Sequence, residues 1–148
     1  MLLSKACEYG IRAVLYLTDA HAEGYVPVRA ISETLSIPHH FLAKIIQTLT
    51  QAEVLTSHRG PTGGVALSRP ASEITLEEVV VAIDGDALFT ECVLGLPGCG
   101  HEKPCPLHTQ WATARDRVHR LFQNVTLAAM SDRMEDGDYR LRSLTDDA

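Results

Sequence analysis

Apolar residues in the first third of the chain recur at three- and four-residue steps. Between residues 4 and 21, Tyr9, Ala13, Tyr16, Leu17 and Ala20 share one face of a helix, with Ser4 as a plausible N-cap. Cys7 and Glu8 fall in its first turns, the one readable as a small buried hydrophobe, the other as a carboxylate favoured by the helix dipole. After a break at Gly24 to Pro27, a short helix is predicted over 28–35 with Ile31 and Leu35 inward. Ser36, Ile37 and Pro38 make a tight turn into a second helix over 38–52, whose apolar stripe is Phe41, Leu42, Ile45, Ile46 and Leu49.

The period then changes from helical to alternating. Residues 54–59 and 65–69 alternate apolar and polar around Gly60, Pro61, Thr62, Gly63 and Gly64, the pattern of a hairpin. Thr75 and Glu78 stand at capping-box spacing before a helix to about residue 83 carrying Leu76, Val79, Val80 and Ile83. Residues 107–130 read as one long helix, in which Leu107, Trp111, Ala114, Val118, Leu121 or Phe122 and Val125 form a heptad-like seam suited to a dimer. The expected organisation is a winged helix-turn-helix domain over 1–83, a cysteine-rich loop over 84–108, a dimerisation helix over 109–131 and a polar tail over 132–148. The fold class is mainly α with a small β wing.

Two short helices joined by a tight turn, followed at once by a two-stranded wing, are an arrangement that reads DNA. On helical spacing, His39, His40, Ala43, Lys44 and Gln47 face away from the apolar stripe and are the candidate major-groove residues. Arg59 stands at the wing tip beside glycine and proline, where a guanidinium can enter a narrow minor groove. The net charge of -6 seems to oppose this, but residues 1–70 hold six Lys or Arg against five Asp or Glu, so the deficit lies in the second half. No apolar run approaches the roughly 20 residues of a membrane span. There is no Cys-x2-Cys redox motif, phosphate-cradling glycine loop or nucleophile–base pair to suggest an enzyme.

Residues 92–108, CVLGLPGCGHEKPCPLH, gather Cys92, Cys99 and Cys105, with six and five residues between them, and His108 three beyond the last. Their glycines and prolines forbid regular structure through most of the segment. A loop with so little apolar surface needs another source of order, and thiolates converging on a metal supply it. Such soft ligands suit an iron-sulfur cluster or zinc, but the paired Cys-x2-Cys of structural zinc sites is missing. Disulfides or inert thiols are the remaining readings. The sequence shows no signal peptide, so the expected compartment is the cytoplasm.

Over residues 1–130 the chain resembles the Rrf2 family of bacterial winged-helix regulators, which includes the iron-sulfur cluster biogenesis regulator and nitric-oxide-sensing repressors. The matching pieces are the opening helix with Tyr9 and Ala13, ISETLSIP, FLAKIIQTL, RGPTGG, ITLEEVVVAIDG, the cysteine loop and NVTLAAM. The resemblance implies a homodimeric repressor or activator on a palindromic double-stranded operator, with a cluster held by Cys92, Cys99 and Cys105: 2Fe-2S, or 4Fe-4S as the alternative. It implies His108 as fourth ligand, or Glu8 from the partner chain, and wing contacts by Arg59, Gly60 and Pro61. The chain departs from the family pattern in its first cysteine gap, six residues where five is common, and in Ala43, where some relatives carry an acidic residue. A cluster-free thiol switch of the same fold is the rival reading.

Overall fold

Burial of the predicted stripes organises the molecule. The computed structural model describes residues 2–19, 24–98, 100, 102–135 and 139–141. Helix α1, Lys5–Thr18, starts where Ser4 Oγ accepts from Cys7 N, and it buries Cys7, Gly10, Ala13, Val14, Leu15 and Leu17. Ala20, at the end of the expected stripe, lies outside the described residues. Helices α2, Val28–Leu35, and α3, His39–Gln51, pack on α1 and on each other. Ile31, Leu35, Leu42, Ile45, Ile46 and Leu49 are all buried, at about 1.5–3 kcal/mol for each large side chain.

The turn between α2 and α3 is locked from within. Ser36 takes the left-handed conformation (φ 55°), which ends α2. Ser32 Oγ, buried, donates to Ile37 O at 2.5 Å, and Ile37 N returns a bond to Ser32 O at 3.0 Å. These two bonds set the angle at which α3 leaves the body.

The wing is the antiparallel pair β1, Leu55–His58, and β2, Gly64–Leu67, in the register Leu55 to Leu67 and His58 to Gly64. Val26 adds a bridge to Val65, bonded in both directions at 2.9 Å. Gly64 is required there: its φ is +154°, and a Cβ would meet Val26 O at 2.2 Å. A 3-10 turn, Ala71–Glu73, leads to α4, Leu76–Asp84, opened by the expected Thr75–Glu78 capping box. Helix α4 closes the main core against α1 and α3 through Val79.

Beyond α4 the chain departs from expectation in several respects. A short helix α5, Ala87–Thr90, precedes the cysteine loop, and α6, His108–Asn124, follows it. The expected single helix over 107–130 is two: α6 stops at Asn124 and α7, Leu127–Glu135, begins three residues on. The reason is a strand-like bridge between Thr75 and Thr126, in which Leu76 N donates to Val125 O and Leu127 N to Ile74 O, both at 2.9 Å. Adjacent β-branched Val125 and Thr126 accept extended backbone readily, and Thr126 Oγ1 caps the new helix by accepting from Ala129 N at 3.1 Å. Helix α7, with buried Leu127, returns to pack on α1. The expected tail thus begins inside α7, and residues 142–148 lie outside the described residues.

The heptad-like seam also divides. Trp111, Val118 and Val125 are half-buried and Phe122 is 7% exposed, so this row faces the chain's own α4 and α5. Leu107, Ala114 and Leu121, spaced seven apart, form the outward row, with Leu107 and Leu121 45% and 56% exposed. Of the described helices, none is long and apolar enough to cross a membrane.

Candidate functional site

The first region to consider is the exposed side of α3. With Leu42, Ile45, Ile46 and Leu49 buried, His39, His40, Lys44 and Gln47 are exposed as helical periodicity expects, while Ala43, expected to face outward with them, is half-buried. All five lie on one continuous strip. Arg59, Gly60 and Pro61 are exposed at the tip of the wing, and Gly60 adopts φ +116°. At the wing's base the Tyr25 and His58 rings stand 5.2 Å apart, an aromatic pair that sequence spacing did not reveal because Tyr25 lies in the segment before α2. A convex helix strip beside a thin cationic hairpin has the shape to occupy a major groove and the adjoining minor groove.

The second region is the cysteine loop. Cys92 lies two residues beyond the end of α5 and is 8% exposed, and Cys105 is half-buried. Their sulfurs are 3.6 Å apart, far beyond the roughly 2.05 Å of a disulfide and close to the separation of about 3.8 Å that two thiolates take on one tetrahedral metal atom. His108, 7% exposed, is the first residue of α6, and its backbone N donates to Cys105 O at 3.0 Å. The N-terminus of α6 therefore lies beside the Cys105 backbone. A cavity of about 320 Å³ opens beside Cys92, lined by Thr90, Glu91, Gly95, Leu96, Pro97 and Gly98 but by neither Cys105 nor His108.

Cys99 lies outside the described residues. Among the described residues no three candidate ligands converge at metal-binding distance. Glu8 is on the first turn of α1, its carboxylate 3.4 Å from Lys5 Nζ. Cys7 is fully buried among Leu76, Val80, Phe89 and Phe122. Burial, then the charge and hydrogen bond of Asp84, then the charge of Glu8, push its thiol up from 9.0 to about 12, so it is a core residue rather than a ready thiolate.

Sequence reasoning missed how the loop is fastened. Trp111 Nε1 donates to Glu91 O at 2.8 Å, and Arg115 Nη1 donates to Thr90 O at 3.1 Å and to Glu91 O at 3.3 Å. Phe89 stacks on His119 with ring centroids 4.5 Å apart, and His119 Nε2 lies 2.8 Å from Glu77 Oε1. Periodicity places Trp111 in an apolar seam, and nothing in the spacing marks Arg115.

Residues 3–133 match the family described as Rrf2, iron-dependent transcriptional regulator. The chain belongs to the Rrf2 family. A curated relative, the HTH-type transcriptional regulator IscR of Serratia proteamaculans (strain 568), is 33% identical over 130 residues, which is 88% of this chain and 79% of that one. Among solved structures, CymR, the global cysteine regulator of B. subtilis, superposes with a TM-score of 0.76 at 22% identity, covering 88% of this chain and 96% of its own. T. potens IscR superposes with a TM-score of 0.75 at 21% identity, covering 93% and 91%.

Membership of the Rrf2 family makes this chain a DNA-binding transcriptional regulator and not an enzyme, and its winged helix is that of the family.

Proposed function

We propose that this regulator binds an iron-sulfur cluster, 2Fe-2S in the first instance with 4Fe-4S as the alternative, and that the cluster sets its affinity for a palindromic operator. The observation that carries the reading is the 3.6 Å approach of Cys92 and Cys105 beside the N-terminus of a helix that begins with buried His108. Cys92, Cys99, Cys105 and His108 would hold the group, with Glu8 of the partner chain as the alternative fourth ligand. A bound cluster would supply sensitivity to oxidants, nitric oxide or iron-sulfur status.

The chain's own residues do the rest. His39, His40, Ala43, Lys44 and Gln47 read the major groove, and Arg59, Gly60 and Pro61 enter the minor groove. A homodimer, with the outward row Leu107, Ala114 and Leu121 of α6 as its seam, matches a twofold operator in the cytoplasm. The loop over 84–108 joins the winged domain to α6, so its order sets how two reading helices are spaced. A ligand shifts that equilibrium only by its unequal affinity for the two arrangements.

The test is anaerobic purification followed by a visible spectrum with iron and sulfide analysis, on the parent and on Cys92→Ala. Matched iron and sulfide with visible absorption, lost in the variant, is the expected result. A colourless parent even after reconstitution would overturn the cluster. The second reading, a cluster-free thiol switch, draws on the likeness to a structure named as a global cysteine regulator and on two sulfurs already within 3.6 Å. It predicts a Cys92–Cys105 disulfide under mild oxidant and no iron.

A further inference from the structure

Both ends of the cysteine loop return to the same stretch of α6. At the exit, His108 N bonds Cys105 O at 3.0 Å and Trp111 N bonds Leu107 O at 2.8 Å. At the entrance, α5 ends at Thr90 with carbonyls that have no partner within its own single turn. Two side chains one turn apart on α6 meet them: the Trp111 indole N–H takes Glu91 O, and the Arg115 guanidinium spans Thr90 O and Glu91 O. Glu91 is the residue before Cys92. Three donated bonds thus fix the backbone from which the buried thiol projects, and a cation sits at the negative end of α5.

We infer that Trp111 and Arg115 are positioning residues of the cysteine site: from α6 they clamp the α5 carbonyls and so hold Cys92 buried and within 3.6 Å of Cys105. The inference rests on the proposed function for its biological meaning, since it gives the outward row of α6 a direct line to the state of the thiols. It also explains why the seam is divided, because the face of α6 that would complete a two-row dimer zipper is spent on its own α5.

The test measures alkylation of each cysteine by a maleimide in the metal-free, reduced protein, resolved by mass spectrometry. Trp111→Phe keeps the ring and removes only the N–H, and Arg115→Ala removes the other two bonds. Arg115→Ala should raise the Cys92 rate by about tenfold and Trp111→Phe by several-fold, as losing ordinary hydrogen bonds to a buried backbone segment implies. Arg115→Lys, which keeps the charge and one donor, should recover much of the parent rate. Removing a nearby cation would by itself slow a thiol, so acceleration reports exposure.

Cys7, buried in the core, is the fold control and should stay unreactive throughout. If Cys7 becomes reactive in Arg115→Ala, that variant has unfolded and Trp111→Phe decides alone. Cys92 rates within twofold of the parent in folded variants would overturn the clamp. A parent that binds no iron while these rates respond would leave the clamp standing and remove the cluster. The converse pair of results would do the reverse.

Discussion

Arg59 sits at the tip of a four-residue-per-strand hairpin with only Gly60 and Pro61 beside it, and it is exposed. Its replacement cannot disturb the core, so any effect on DNA is its own. Arg59→Ala should weaken operator binding by about 1–3 kcal/mol and flatten the salt dependence by roughly one unit of log-log slope, with no change in melting. Fluorescence anisotropy at several salt concentrations checks both, and an unchanged affinity would remove the wing from the interface. Cys7 gives the second residue-scale expectation. Its thiol, at about 12 in the folded chain, stays protonated while the same thiol in the unfolded chain ionises near 9.0. Above that lower value the unfolded state binds fewer protons, so the stability Cys7 contributes is whole below pH about 9 and is lost as pH rises toward 12. Urea midpoints should therefore fall more steeply with alkaline pH in the parent than in Cys7→Ala. Parallel slopes would contradict the assignment.

At the scale of elements, the turn between α2 and α3 sets the angle at which α3 leaves the body. Ser32→Ala removes the donor to Ile37 O in a buried site and should cost about 1–3 kcal/mol in urea unfolding, because the carbonyl is left without that bond and without water. Less than about 0.5 kcal/mol would mean that the turn is held by packing alone. Much at this scale was legible in the sequence. The stripes of α2 to α4, the Ser4 cap, the Thr75–Glu78 box and the wing are all local signals, in which a residue and its neighbours three or four positions away decide the outcome; in α1 the expected row is only partly the buried one, Tyr9 and Tyr16 being half-buried while Val14 and Leu15 lie inside. The break between α6 and α7 was not legible, because Val125 and Thr126 become extended through pairing with Ile74 and Leu76, fifty residues earlier. Nor was the clamp: Trp111 and Arg115 find carbonyls some twenty residues upstream, and periodicity alone reads Trp111 as part of an apolar seam.

For the whole molecule, one core built on α1, α3, α4 and α7 carries the reading surface, and a smaller cluster of Cys7, Leu76, Val80, Phe89 and Phe122 ties α5 and α6 to its flank. The cysteine loop hangs from that flank, away from the α3 strip in sequence but joined to it through α4 and α5. On the proposed function, a change in the loop reaches DNA by moving α6, and with it the partner protomer, relative to the winged domain. On the proposed function, the occupant of the cysteine site and the operator share one equilibrium. Its direct test is the affinity of the anaerobically isolated protein and of its chelator-stripped form for DNA selected from genomic fragments, titrated side by side at one salt concentration. The two forms should differ by about tenfold or more on at least one selected sequence, the coupling of roughly 1–3 kcal/mol typical of linked sites. Equal affinity of both forms on every sequence, with iron and sulfide verified in the first, would contradict it.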